Sequence, residues 1–229
     1  MPSERCTVAN LRTIGGAGQR KLKSACIGVA GLGGVGGIAF ELLVRAGVGR
    51  IKVADAGFFE ESNANRQSLW TKETDGKKKT VAAAEFARQV TSACSVLPFG
   101  EINGKNAAPF SSGCAATIDA TDRAHSRLAV WRGCKKMGVP YIFASALGAK
   151  GMLTVFSGKK DFELEFGIAK KESRNFLSCD HSLGPVANAI GCLAAQQALN
   201  IILGKKAVEF PEVISIDVFS GRQAITHSF

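Results

Sequence analysis

Gly31-Leu32-Gly33-Gly34-Val35-Gly36 decides how the chain is read, because an apolar run precedes it and a segment of helical period follows it. Ala25 to Ala30 has the length and composition of a buried strand. Val35, Ile38, Ala39, Leu42, Leu43 and Ala46 then fall on one helical face before Gly47 ends it. Glycines between a strand and a helix let the main chain approach a phosphate, and the free N–H groups at a helix start attract negative charge. Gly31, Gly33, Gly34 and Gly36 are therefore candidate nucleotide-binding residues. Asp55 stands 19 residues after Gly36, at the end of a second expected strand from Arg50 to Ala54. A carboxylate there can accept hydrogen bonds from ribose hydroxyls. The glycines and Asp55 point to a nucleotide without separating NAD from ATP.

Outward from this unit the pattern repeats. A helix is expected near Thr80 to Val90, strands near Ser95 and at Ala115 to Asp119, a helix near Ala124 to Met137 and a strand at Tyr141 to Ala146. Alternation of this kind predicts a doubly wound, Rossmann-like α/β fold with a mostly parallel sheet. After Gly151 the rhythm changes to a strand at Met152 to Phe156, a long apolar helix from Pro185 to Leu203 and late strands at Val213 to Asp217 and Gln223 to Thr226. That tail predicts antiparallel strands extending the sheet. Lys159 to Arg174 is dense in charge and poor in apolar anchors, and is expected to be a mobile loop. With 229 residues, 46% of them hydrophobic, and no linker-like tract, residues 1–229 are expected to form one domain.

The chemistry is narrowed by Ser62-Asn63-Ala64-Asn65-Arg66-Gln67, then Lys79, then Asp119-Ala120-Thr121-Asp122. A dehydrogenase has no need of these groups. Attack of a carboxylate on an α-phosphate does, since it drives negative charge onto a pyrophosphate leaving group that cations stabilise. Arg66 and Lys79 are suitable cations, and Asp122, past the end of a strand, is a suitable magnesium ligand. Each has an ordinary alternative: a surface ion pair for Arg66, one of three exposed lysines for Lys79, a helix N-cap for Asp122. Their order along the chain favours the chemical reading.

A formal charge of +10 suits nucleic acid, an acidic partner or a polyphosphate, and equally a basic surface that keeps the protein dispersed. Seven scattered cysteines, with no Cys-x-x-Cys, predict neither a disulfide framework nor a structural zinc, and fit a reducing cytoplasm. The amino terminus lacks the apolar core of a signal peptide. Cys26 to Phe40 is short and glycine-rich, and Val186 to Leu203 carries Asn188, Gln196, Gln197 and Asn200, so both are expected to be buried elements with no membrane role. Cys179, two residues before His181, is a candidate nucleophile if the imidazolium favours its thiolate; the alternative is a loop cysteine with no chemical role.

In their order, these motifs resemble the MoeB/ThiF family, from Ile14-Gly15-Gly16-Ala17-Gly18-Gln19-Arg20-Lys21-Leu22 to Ser220-Gly221-Arg222. The resemblance implies an adenylyltransferase that binds ATP through the glycine loop around Gly34 and through Asp55. Ser62, Asn63 and Arg66 would contact phosphates, with Lys79 as the family lysine and Asp122 as the magnesium-binding aspartate. It also implies a homodimer and, as substrate, the carboxy-terminal Gly-Gly of a ubiquitin-like sulfur carrier for thiamin, molybdopterin or tRNA sulfur chemistry. Arg123 stands where the family usually has asparagine. The amino-terminal Arg-Tyr-x-Arg-Gln motif that reaches a partner's site is missing, with only Arg5 and Arg12 nearby and out of register. Cys179 is near the position of the cysteine that receives the activated tail in some members. Asn63 to Gln67 and the positive charge also resemble a family enzyme that dehydrates threonylcarbamoyladenosine in tRNA. An NAD-dependent oxidoreductase accounts only for the glycine loop and Asp55, and a non-catalytic binding protein is the remaining alternative.

Overall fold

A computed structural model describes residues 7–158, 160–167, 181–220 and 225–228 of the chain. In chain order the elements are α1 (Val8–Ser24), β1 (Cys26–Ala30), α2 (Gly34–Ala46), β2 (Arg50–Ala54), α3 (Lys79–Val90), β3 (Ser95–Phe99), α4 (Ala107–Ser111) and β4 (Ala116–Asp119). They continue with α5 (Ala124–Met137), β5 (Tyr141–Leu147), β6 (Lys150–Phe156), α6 (Phe162–Glu165), α7 (Gly184–Leu203), β7 (Glu212–Asp217) and β8 (Ile225–Ser228). A single 3-10 turn, Glu61–Asn63, lies between β2 and α3.

All eight strands join one sheet in the order β3-β2-β1-β4-β5-β6-β7-β8. Strands β1 to β5 pair in parallel, while β6, β7 and β8 add antiparallel, as the change of rhythm after Gly151 predicts. β1 runs between β2 and β4, so the chain leaves its neighbours in opposite directions and opens a crevice at their carboxyl ends. Every residue of β1 and β4 is buried, because helices cover both faces. One face packs Phe40 and Leu43 of α2, Ala82 and Ala83 of α3, and Ile190 and Ala194 of α7. The other packs Phe110, Val130, Trp131, Tyr141, Phe143 and Phe162.

Helix α7 is 20 residues long and apolar enough, by length and composition, to cross a membrane. It instead buries Val186, Ile190, Ala194 and Ala198 in the sheet-covering layer. The expected loop from Lys159 to Arg174 needs correction over its described part. Residues 160–167 include α6, and Phe162 is fully buried, with its ring centroid 5.2 Å from Tyr141 and 5.4 Å from Phe156. Charge dominates the composition there, but two phenylalanines are enough to pin it: Phe166 packs 5.0 Å from Phe162. The last strand is described over Ile225–Ser228, and the start of the expected one, Gln223 and Ala224, lies outside the described residues.

Candidate functional site

The parallel strands end on a cavity of about 330 Å³. Its floor is the turn between β1 and α2. Gly31 has φ of 85°, and a Cβ on it would lie 2.5 Å from the Ala120 carbonyl oxygen. Its N–H donates to the Ala54 carbonyl at 2.7 Å. A Cβ on Gly36 would fall 1.8 Å from the Gly31 carbonyl oxygen, so the first turn of α2 closes directly onto the loop. Gly31, Gly33 and Gly34 line the cavity; Gly36 does not, and its place is in this close approach.

Asp55 braces the same turn. Its Oδ2 accepts the Leu32 N–H at 2.7 Å and its Oδ1 accepts the Gly57 N–H at 2.7 Å. Each carboxylate oxygen has capacity for a further donor, and the residue lines the cavity.

Arg66, Gln67 and Lys79 also line it. Arg66 Nη1 donates to the Ser62 carbonyl at 3.1 Å and to Asn65 Oδ1 at 2.8 Å, and Arg66 makes no ion pair among the described residues, which removes the surface ion-pair alternative. Ser62 and Asn63 do not line the cavity. Asn63 is buried, takes the Glu60 N–H on Oδ1 at 3.3 Å and donates to Ser62 Oγ at 3.2 Å. The Arg66 and Gln67 N–H groups both donate to its carbonyl, at 3.1 and 3.0 Å. Through these bonds Asn63, with Ser62 beside it, holds the main chain that presents Arg66 and Gln67 to the cavity. Among the three lysines, Lys77 pairs with Glu85 at 2.9 Å and Lys78 is exposed. Lys79 is half-buried, its N–H donating to the Gly57 carbonyl at 3.0 Å and its Nζ 5.6 Å from the Phe59 ring centroid.

Asp122 reaches the cavity from the turn after β4 and makes no hydrogen bond or ion pair to any described residue. It is not the N-cap of α5: that position is Arg123. Asp119 is fully buried, accepts the Tyr141 hydroxyl, takes the Thr121 N–H at 2.9 Å and hydroxyl at 2.7 Å, and lies 3.8 Å from Arg127 Nη1. Removal from water and the Asp119 charge, against the pull of Arg127, push the Tyr141 phenol well above its usual range.

Arg127 and Glu101 are cavity residues that the sequence reading missed. The signal for Arg127 was present: it falls on the stripe Arg127, Val130, Trp131, Cys134 that faces the core, where an arginine is out of place. Glu101 Oε1 gathers His125 Nε2 at 3.0 Å, Arg123 Nη1 at 3.3 Å and Ser126 Oγ at 3.3 Å. The His125 hydrogen bond and the Arg123 charge outweigh slight desolvation and hold its carboxyl below the usual range. Arg123, which stands where the family usually has asparagine, lines the cavity rim paired with Glu101. His181 lines the opposite wall with Ser145 and Ala146; Cys179 lies outside the described residues.

The residues present fit a nucleotide phosphate with its metal. The Cβ position of Gly33 opens onto free space, the Gln67 side chain is 6% exposed with its Oε1 lacking any partner among the described residues, and the Asp122 carboxylate is uncommitted. A glycine turn at the switch point of a 3-2-1-4-5 sheet, with Arg66, Lys79 and Asp122 on the same cavity, has the form of a Rossmann-like nucleotide-binding fold. Residues 6–227 match the ThiF family, and the chain belongs to it. It is 35% identical over 150 residues to the sulfur carrier protein ThiS adenylyltransferase of Bacillus subtilis, covering 63% of this chain and 44% of that one. It is 31% identical over 218 residues to the adenylyltransferase and sulfurtransferase MOCS3 of Anopheles gambiae, covering 93% and 49%. The chain thus spans about half the length of these curated relatives. The fold superposes on the crystal structure of E. coli MccB with ATP at a TM-score of 0.83, covering 99% of this chain and 72% of that one at 20% identity.

Proposed function

We propose that the chain is an ATP-dependent adenylyltransferase that activates the carboxy-terminal glycine of a ubiquitin-like sulfur carrier ending in Gly-Gly and releases pyrophosphate. The observation that carries this reading is the convergence of Arg66, Lys79 and the uncommitted Asp122 on the cavity floored by Gly31, Gly33 and Gly34. Membership of the ThiF family and likeness to the Bacillus ThiS adenylyltransferase support it.

In the reaction, a carboxylate oxygen of the carrier attacks the α-phosphorus and forms an O–P bond. The bridging bond to the β-phosphate breaks, and pyrophosphate leaves with the electron pair. The glycine turn supplies N–H donors for the phosphates, and the small residues there admit the main chain close to them. Asp55 holds the turn and offers its remaining acceptor capacity to the ribose. Arg66 and Lys79 oppose the charge that builds on the leaving pyrophosphate, a stabilisation worth most in a site walled off from water. Magnesium, held by Asp122, would neutralise further phosphate charge when bound with the nucleotide. No thiol is needed for this step, so Cys179 belongs, if anywhere, to a later transfer. The active unit is a homodimer in this reading.

Pyrophosphate–ATP exchange with ubiquitin-like carriers, and separately with total tRNA, tests the proposal. Exchange that depends on a carrier with an intact Gly-Gly end is expected. Exchange with tRNA alone would favour the tRNA-modifying alternative, which Asn63 to Gln67 and the +10 charge support. Tight NAD binding with no Mg-ATP binding would overturn both.

A further inference from the structure

Arg127 is 1% exposed, yet it sits on the wall of the cavity and not under a surface ion pair. Burying a guanidinium is costly unless its donors are satisfied, so its partners indicate what it is for. Nη2 donates to the Thr121 carbonyl, Nη1 is 3.4 Å from the Ala144 carbonyl and 3.8 Å from Asp119 Oδ2, and the planar group lies 4.7 Å from the Phe143 ring centroid. Asp119 at the same time holds the Thr121 N–H and hydroxyl. Thr121 is therefore clamped at both its N–H and its carbonyl by a buried ion pair, and the next residue is Asp122, whose own carboxylate has no partner among the described residues. The clamp also reaches β5 through Ala144, which ties the turn after β4 to the neighbouring strand.

From this we infer that Arg127 is a positioning residue for Asp122: its fork fixes the Thr121–Asp122 peptide so that the carboxylate is aimed at the metal of the bound nucleotide. The inference rests on the adenylation reading and adds a residue to it. Arginine suits the task because a planar fork can serve two carbonyls and stack on Phe143 together, which the point charge of lysine cannot do. Groups that orient a metal ligand are worth about 10–100-fold in metal affinity.

The test compares Arg127→Met, Arg127→Lys, Tyr141→Phe and Asp122→Asn with the natural chain. Calorimetry reads ATP binding in EDTA and then its dependence on added magnesium. Arg127→Met is expected to leave binding in EDTA within about threefold and to raise the magnesium needed for half-maximal effect by about 10–100-fold. Arg127→Lys shifts the requirement in the same direction by less. Combined with Asp122→Asn, either change adds little, since both act on one interaction. Tyr141→Phe removes a partner of Asp119 without touching the Thr121 clamp; it lowers the melting temperature and leaves the magnesium dependence alone. Amide hydrogen exchange at residues 120–123, measured without nucleotide, is expected to quicken in the Arg127 variants and not in Tyr141→Phe. Should Arg127→Met fail to fold, Arg127→Lys carries the comparison. The inference is overturned if folded Arg127 variants keep the natural magnesium dependence and exchange, or if Tyr141→Phe changes both as much. A natural chain that binds no ATP would sink the adenylation reading instead, and hydrogen exchange alone would then decide the clamp.

Discussion

Asp55 and Leu32 join the end of β2 to the glycine turn: the Asp55 Oδ2 accepts the Leu32 N–H at 2.7 Å, while Oδ1 takes the Gly57 N–H at the same distance. One carboxylate thus orders two loops that border the cavity, before any ligand arrives. Asp55→Ala leaves both N–H groups without their acceptor, and is expected to cost about 1–3 kcal/mol of stability. Thermal unfolding reads that loss. ATP affinity, read by calorimetry, is expected to fall at least tenfold, roughly the 1.4 kcal/mol that one lost ligand contact and a loosened turn supply together. Unchanged ATP affinity would remove Asp55 from the site.

Gly33 and Gly36 separate two uses of glycine. A Cβ on Gly36 meets the Gly31 carbonyl at 1.8 Å, whereas a Cβ on Gly33 meets nothing within 4 Å. Gly36→Ala is expected to destabilise the fold by about 1–3 kcal/mol because backbone must move. Gly33→Ala is expected to melt within about 1 kcal/mol of the natural chain, since its φ is negative and its Cβ would meet no neighbour. It should nonetheless weaken ATP, whose phosphates would share that space. Normal ATP binding by Gly33→Ala would place the phosphates elsewhere.

Much of this was legible beforehand. β2 and α5 have the ends that strand length and helical spacing predict, and Gly47 terminates α2 with φ of 87°. Helix α1 was not legible: Gly15, Gly16 and Gly18 lower its propensity, and only Gly18 and Leu22 are buried, so it shows almost no apolar face. Helix α4 spans one turn around Pro109 and carries too little pattern to read. In the site, Arg66, Lys79 and Asp122 line one cavity, in keeping with their order after the glycine loop and Asp55. Ser62 and Asn63 looked similar, yet their side chains bond each other and Asn63 Oδ1 also takes the Glu60 N–H, a local use that short polar residues readily adopt. Arg127 was legible only from its place on the core-facing stripe, because the other charged residues of its helix are exposed.

Phe162 shows why charge density misled the reading of residues 160–167. Its ring touches those of Trp131, Tyr141, Phe143, Phe156 and Phe166 at centroid distances of 5.0 to 6.0 Å. Phe162→Ala is expected to cost about 3–5 kcal/mol by chemical denaturation. A loss below about 1 kcal/mol, the range of surface changes, would mean that the segment is not anchored there.

Asp161 makes that anchor pH-dependent. Partial burial raises its carboxyl pKa, but the Lys135 hydrogen bond and the Leu164 and Glu163 N–H groups outweigh it, leaving the carboxyl below its usual range. A lowered folded-state pKa contributes stability that is present above the unfolded value near 3.8 and is lost as pH falls through the folded value. Asp161→Asn is therefore expected to melt lower than the natural chain at neutral pH, with the gap closing in acid below about pH 4. A gap that stays constant from neutral pH to pH 2 would show that the charge of Asp161 contributes nothing.

Asp122 is the most direct test of the chemistry. It is exposed and unpartnered among described residues, so Asp122→Asn removes one charge at nearly constant size with no structural bond to break. Asp119, three residues earlier, cannot serve as a matched control. It is buried in the Arg127 and Tyr141 network, and neutralising it strands a buried guanidinium. Glu73→Gln is the better control, an equal charge change on an exposed residue away from the cavity wall. Magnesium takes few protein ligands, so losing one carboxylate costs turnover more than nucleotide affinity. Pyrophosphate exchange by Asp122→Asn is expected to fall roughly a hundredfold or more, about 3 kcal/mol of transition-state stabilisation, with an unchanged melting temperature. Glu73→Gln is expected to exchange normally. Normal exchange by Asp122→Asn would take the metal away from this residue, and the clamp on Thr121 would then have no carboxylate to aim.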